Sequence, residues 1–360
     1  MKQDHRPAER FPLRGGVLYA LGAAALFGAS TPFAKLLVGD LSPVLLAGLL
    51  YLGSGTGLSI IYLARRRRVQ DAAPLSRADW PWLAGAILFG GIVAPILLLT
   101  GLAATPGATA SLLLNLEGVF TALLAWFAFR ENFDRRIAVG MALIVTGGVV
   151  LAWPEGGSGL GLPLASLAVA GACLCWGIDN NLTQKVSAAD PLLVAAVKGI
   201  VAGGVNLLIA RLAGATLPPL RLALGAAVVG LLGYGFSLSL FVLGLRHLGT
   251  ARTGAYFSLA PFIGAAVAVP LLGEPPTIPL FVAACLMGSG GLLHLTEVHR
   301  HEHRHSLLEH AHSHVHDEHH RHTHEATIEA GESHEHRHVH QPIVHSHGHY
   351  PDIHHRHDHS

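Results

Sequence analysis

Between Leu13 and Leu295 the chain is a succession of apolar stretches broken by short polar or Pro/Gly joints. About 20 apolar residues cross a ~30 Å hydrocarbon core as a helix. Ten stretches of that length can be placed, at 14–38, 43–63, 81–103, 105–129, 136–153, 163–184, 191–210, 221–244, 250–272 and 277–296. The composition agrees, with 51% hydrophobic and 13% charged residues. A water-soluble domain carries about a quarter charged residues, so a soluble enzyme is the wrong class. The expected fold is an all-α integral membrane protein of ten transmembrane helices.

The histidines divide the chain into two materials. Of 26, only His5, His247 and His294 precede position 299, and the other 23 lie between His299 and Ser360. The formal charge of +1 separates likewise into +6 upstream and −5 in the tail. Neither part is basic enough to suggest nucleic acid as a partner. Cys173, Cys175 and Cys285 sit in apolar runs, where a thiol acts as a small hydrophobe. No small-residue cleavage pattern stands apart near the N-terminus, so no removable signal peptide is expected.

Orientation follows from the basic residues flanking the stretches. With residues 1–13 in the cytoplasm, the inner segments collect Lys2, Arg6, Arg10, Arg14, Arg65 to Arg68, Arg77, Arg130, Arg135, Arg136, Lys185, Arg246 and Arg252. The outer loops hold Arg211 and Arg221, with Lys35 near the outer end of the first stretch. Both termini are therefore expected in the cytoplasm.

Two segments match at a separation of 143 residues, Gly101 to Asn132 and Gly244 to Pro275. Gly101 falls on Gly244, Ala108 on Ala251, Leu116 on Leu259 and Glu131 on Glu274. A second match sets Phe27-Gly28 on Trp176-Gly177 and Ser42-Pro43 near Asp190-Pro191. Each half therefore holds five stretches, at 14–153 and 163–296. Five is odd, so the second copy is inverted relative to the first.

Two five-span units, each closing its fourth span on a glutamate (Phe129-Arg130-Glu131 and Leu272-Gly273-Glu274), together with the Ala110-Ser111-Leu112-Leu113-Leu114-Asn115-Leu116 run, resemble the drug/metabolite transporter superfamily. The similarity is to its EamA-type ten-span branch and covers residues 15–295, leaving out the tail. It implies a secondary carrier of small organic molecules, often an exporter, working by alternating access without a cofactor. One departure is Glu117-Gly118, where the family often carries a proline and the second repeat keeps Pro261. The fourth span thus lacks the residue that would kink it.

An ion at the bilayer centre costs about 2.5–3.5 kcal/mol on insertion scales, so ionisable residues inside spans mark places where something uses them. Glu117 lies at the middle of the fourth span, and Asp179 and Lys198 lie at similar depth on consecutive antiparallel spans. Glu117, with Asp179 second, is the candidate protonatable coupling site. Asn115, Asn180, Asn181 and Tyr256 offer hydrogen bonds to a substrate, and Trp176 either packs or lines the cavity. Asp179 and Lys198 can equally neutralise each other across a helix contact. Glu131 and Glu274 read as caps or as anchors of a gate. Gly53 with Gly57, and Gly199 with Gly203, stand at helix-contact spacing; this is more often ordinary packing than dimerisation, and a homodimer stays open.

The tail, 299–360, groups its histidines into six clusters. They are His299, His301, His303 and His305; His310, His312, His314 and His316; His319, His320, His322 and His324; His334, His336, His338 and His340; His345, His347 and His349; and His354, His355, His357 and His359. The dominant spacing is His-x-His, which places imidazoles on one side of an extended chain. Imidazole suits Zn, Ni, Co or Cu ions, and four nitrogens close a tetrahedral site. With little apolar content the free tail is expected to be disordered.

These features favour a carrier of a small metabolite with a tail that buffers or senses metal. A carrier of a metal or metal complex loaded by the tail is the alternative, although no span holds a ligand cluster. A non-transporting receptor or scaffold that displays the tail is a third class, disfavoured by the inverted repeat. No catalytic triad, metalloprotease motif or nucleotide-binding loop is present, so an enzyme is not expected.

Overall fold

A computed structural model describes residues 11–66, 75–129, 135–153, 164–186, 189–248, 250–295, 299–304, 308–314, 334–340 and 344–349. It divides into two units, Met1–Glu297 and Val298–Ser360.

Every regular element among the first unit's described residues is a helix. Four of its helices are uninterrupted in the first half or at its ends: α1 (Phe11–Val38), α2 (Pro43–Arg66), α5 (Arg135–Ala152) and α10 (Ile278–Leu295). Two more, α6 (Leu164–Lys185) and α7 (Pro191–Leu212), open the second repeat. The remaining four are composite. Helix α3 runs through Trp80–Ala86, Ile87–Val93 and Ala94–Ala104, and α8 through Leu220–Gly230, Leu231–Phe236 and Ser237–Leu248. Helix α4 comprises Gly107–Leu113 and Leu116–Phe129, and α9 comprises Thr250–Phe257 and Ala260–Leu272. These ten helices fall on the ten apolar stretches to within a few residues. Among the described residues six are long and apolar enough to cross a membrane, in α1, α2, α3, α4, α7 and α8, and shorter apolar helices occupy α5, α9 and α10. Large apolar side chains face outward, among them Leu18, Ile60, Leu208, Leu212 and Phe281. Water would not tolerate such a surface on a monomer, whereas lipid would.

The repeats are legible in the local chemistry. Helix α2 starts at Pro43 with the Ser42 hydroxyl accepting from Leu45 N at 3.4 Å. Helix α7 starts at Pro191 with the Asp190 carboxylate accepting from Leu192 N at 2.8 Å. Both are an oxygen cap followed by a proline whose missing N–H costs nothing there. The middle segments of α3 and α8 are π-helical, and the 143-residue separation sets Val93 on Phe236. Helices α4 and α9 both break near their centres, at Leu114–Asn115 and Ser258–Leu259. The α4 break forms without a proline: Leu114, Asn115 and Glu117 N–H groups bond carbonyls three residues back, and the Asn115 side chain donates to Leu112 O at 2.9 Å. A side-chain amide here performs what Pro261 does in α9.

Packing pairs equivalent helices, α2 with α7 and α5 with α10, while α1 lies against α8 and α9 and α6 against α3 and α4. Each repeat thus lends its first helix to the other. A Cβ on Gly199 would stand 2.5 Å from the Gly55 backbone, and one on Gly203 would stand 2.5 Å from Leu52 N. Gly53 and Gly57 meet Ala227 and Leu231 of α8 in the same way. All four glycines serve contacts inside the chain.

Among its described residues the second unit holds regular structure, where the sequence led us to expect a disordered free tail. It holds β1 (His299–Arg304), β2 (Leu308–His314), β3 (His334–His340) and β4 (Val344–His349). β1 pairs antiparallel with β4, and β2 with β3. The strict alternation of histidine with other residues has the period of a pleated strand, which a judgement from overall polarity overlooks.

Candidate functional site

Helix α6 gathers the polar residues of the body. Ala and Leu, both good helix formers, dominate its turns before Trp176, and its last turns carry Asp179, Asn180, Asn181 and Thr183. One side of it meets α4. The Asn180 amide donates to Glu117 Oε1 at 2.8 Å and to Thr121 Oγ1 at 3.3 Å. Asn181 donates to Gly177 O at 2.8 Å and to Thr121 O at 3.4 Å. Glu117 is half-buried, in the first turn after the α4 break, and Gly118 beside it is exposed. A carboxylate from the first repeat is thus held by an amide from the second.

The other side of α6 meets α7 and the π-helical turn of α3. Asp179 pairs with Lys198, both almost fully buried. Thr183 Oγ1 donates to the second Asp179 oxygen at 2.9 Å. Gly90 lies directly against this carboxylate, and any Cβ there would overlap it. A π turn leaves carbonyls outside the regular helical ladder. Gly90 O accepts from Tyr51 OH at 2.6 Å and from Trp176 Nε1 at 3.1 Å, and Gly91 O accepts from Asn206 Nδ2 at 3.0 Å. In the second repeat Gly233 abuts Ser30, which aligns with Asp179, so the same crossing recurs there without a charge.

An aromatic cluster adjoins this turn. Phe27 packs edge-on to Trp176 at 5.8 Å and to Tyr234 at 6.0 Å, Tyr51 lies 5.3 Å from Tyr234, and Phe257 lies 5.4 Å from Phe27. Phe27 and Trp176 are repeat equivalents, so the two copies meet at these rings.

Of the residues singled out in the sequence, Glu117 and Asn180 are brought into contact, Asn181 shares Thr121 with Asn180, and Asp179 pairs with Lys198. Trp176 is buried and tied to Gly90. Asn115 is turned into the α4 break, with Met287 Sδ 3.7 Å from its amide, and Tyr256 is half-buried on α9. Sequence reasoning missed Tyr51, Tyr234, Thr121 and Asn206. The Gly90-Gly91 pair was the one available signal, since adjacent glycines inside an apolar span mark close approach.

Glu274 follows Gly273, whose φ of +65° ends α9 in the left-handed conformation that favours glycine. Its carboxylate accepts from Gly107 N at 2.5 Å and Ala108 N at 2.8 Å, capping α4 across the repeats. Lys35 Nζ donates to Leu102 O at 2.5 Å close by. Glu131 lies outside the described residues, as do His305, His316, His319, His320, His322, His324, His354, His355, His357 and His359. Among the described residues of the helical unit no group of three or more His, Cys, Asp or Glu is clustered for a metal.

Comparison with known proteins agrees with the repeat. The model of the EamA-like transporter family matches residues 14–153 and again 163–296. A transporter of Methanothermobacter thermautotrophicus is 30% identical over 300 residues, spanning 79% of this chain and 84% of that protein. A probable amino-acid metabolite efflux pump of Salmonella typhimurium is 26% identical over 75% of this chain and 91% of its own. A probable 4-amino-4-deoxy-L-arabinose-phosphoundecaprenol flippase subunit of Pseudomonas fluorescens is 40% identical over 86 residues, 24% of this chain and 72% of its own. A solved crystal structure shares the fold with a TM-score of 0.60 at 20% identity, over 77% of this chain and 94% of the other. With a family match over both repeats and apolar helices of membrane-spanning length, the chain belongs to the EamA-like transporters of the drug/metabolite transporter superfamily and is an integral membrane transporter.

Proposed function

We propose that this transporter is a secondary active carrier that exports a small organic metabolite across the bacterial inner membrane by alternating access. All ten helices cross the bilayer in this reading, with both termini cytoplasmic. The observation that carries it is the Glu117–Asn180 contact, a half-buried carboxylate of one repeat held at 2.8 Å by an amide of the other. A site shared between repeats changes its surroundings whenever the repeats rock, which is what coupling requires. Protonation of Glu117 would remove the charge that the Asn180 amide favours and weaken that contact. The neighbouring Asn181 and Thr121 supply hydrogen-bonding capacity for a polar substrate, and the Phe27–Trp176–Tyr234 rings supply an apolar wall. The efflux pump and flippase subunit among the relatives make an outward-moved metabolite or lipid-linked amine the class to try first. No resident cofactor is needed.

The test is transport in proteoliposomes under an imposed pH gradient, with a panel of labelled amino-acid metabolites. Glu117→Gln keeps the shape and the Asn180 neighbour, and should abolish gradient-driven accumulation while leaving equilibrating exchange. Unchanged accumulation would end the coupling role.

The tail is read as a transition-metal buffer or sensor attached to the carrier, taking Zn, Ni, Co or Cu. The support is the density of imidazoles and their alternation. Deleting residues 299–360 should lower cellular tolerance of these metals and leave metabolite export intact. Loss of export together with tolerance would favour metal as the cargo.

A further inference from the structure

Within the tail, the strand register places histidine opposite histidine. In the β1–β4 ribbon the partners are His299 with His349, His301 with His347 and His303 with His345. In the β2–β3 ribbon they are His310 with His338, His312 with His336 and His314 with His334. The positions between are Arg, Glu, Ala, Ser, Gly or Val without exception. Residues two apart share a face of a strand, and directly opposed residues share it across the ribbon. Each ribbon therefore has one face with three consecutive histidine rungs and one face with none. The two ribbons also continue a single register, since stepping from Arg304–Val344 to Leu308–His340 advances each strand by four residues.

We propose that each ribbon builds one closed four-imidazole site for a divalent transition ion from two adjacent rungs, so that every tight site combines histidines from sequence-distant halves of the tail. This deepens the reading of the tail as a metal binder and rests on it. Opposed residues on a ribbon have Cβ atoms about 4.5–5.5 Å apart, and successive rungs on one face are about 7 Å apart. Two rungs thus bring four imidazole-bearing positions around one point, which is the ligand number of a closed tetrahedral site. A third rung is left with two histidines, joined in the β2–β3 ribbon by His340 opposite Leu308, still short of a second closed site. The tail would then hold two tight ions, where six clusters acting separately would hold up to six weaker ones. An isolated two-stranded ribbon is marginal in water, so ion and ribbon stabilise each other, and metal binding is coupled to strand pairing. The register has a reason to be kept as well, because a slip by one residue sets each histidine against a position that carries none.

The experiment measures Zn(II) bound to the full-length protein in detergent by equilibrium dialysis against a competing chelator. Four proteins are compared: wild type, His345→Gln/His347→Gln/His349→Gln in β4, His299→Gln/His301→Gln/His303→Gln in β1, and the two sets combined. The expected result is two tight ions in wild type, one after either triple substitution, and still one after both, because either strand alone cannot close the site. A further variant, His319→Gln/His320→Gln/His322→Gln, should keep both tight ions. Losses that add between β1 and β4, or a loss from the 319–322 variant equal to the others, would show clusters binding independently and overturn the paired-rung site while leaving a metal-binding tail. Absence of tight Zn(II) in wild type would overturn that broader reading too.

Discussion

Glu274 of the second repeat accepts two backbone hydrogen bonds at the start of α4 in the first, from Gly107 N at 2.5 Å and Ala108 N at 2.8 Å. The contact bonds otherwise orphaned helix N–H groups and places a negative charge at a positive helix end. It also crosses the boundary that must move if the repeats rock, so it stands as a latch on this end of the molecule. Glu274→Ala should lower the thermal stability of the purified protein by about 1 kcal/mol, the usual worth of a cap. It should also raise maleimide labelling of a cysteine placed at Thr105, now buried, in a cysteine-free background. Stability lost without added labelling would make Glu274 a cap and nothing more.

Gly90 is fixed by its neighbour. Any side chain there overlaps the Asp179 carboxylate, while Gly118 has no atom within 4 Å of where a Cβ would sit. Gly90→Ala should therefore displace the ion pair and cost about 1–3 kcal/mol or more, seen as a lower melting temperature and poor yield. Gly118→Ala should be neutral or stabilising by up to about 1 kcal/mol, since it only improves helix propensity. Equal behaviour of the two variants would contradict the close approach of α3 to α6.

Apolar length and charge asymmetry made the helical body readable, because a bilayer constrains length more tightly than water constrains anything about a soluble helix. The Gly101 and Gly244 segments betrayed the repeat for a related reason: each copy keeps the same small residues where helices touch. The interior was less legible. Glu117 and Asn180 could be picked out as polar residues in spans, but not their contact, since α4 and α6 belong to different copies and their adjacency follows from the inversion. Tyr51 escaped notice because its role depends on a π turn in α3, which no hydrophobic pattern announces. The tail carries two signals. Its composition reads as disorder, whereas the period-2 order of His299, His301 and His303 against His349, His347 and His345 is a property of sequence order that composition discards.

Asp179 and Lys198 form a buried ion pair, and breaking such a pair from one side leaves an uncompensated charge costing about 3–5 kcal/mol. Asp179→Asn or Lys198→Met alone should reduce membrane yield severely. The double variant, neutral on both sides, should recover most of it, because replacing a whole buried pair is often close to neutral. If the recovered double variant also transports at near the wild-type rate, the pair is structural. A folded but inactive double variant would move Asp179 into the transport machinery beside Glu117.

The carbonyl of Gly90, freed by the π turn, has two donors, Tyr51 OH and Trp176 Nε1. Tyr51→Phe removes one bond and leaves the carbonyl satisfied by the other, so it should cost about 0.5–1.5 kcal/mol in thermal or denaturant stability. Trp176→Phe also removes a buried ring and should cost somewhat more. The double variant is the informative one. With both donors gone, a buried carbonyl in an apolar membrane interior has no partner, and its desolvation adds about 1–3 kcal/mol beyond the sum of the single effects. Strict additivity would mean that the α3 carbonyl finds another donor, and that the turn is held by backbone geometry instead of by these two side chains.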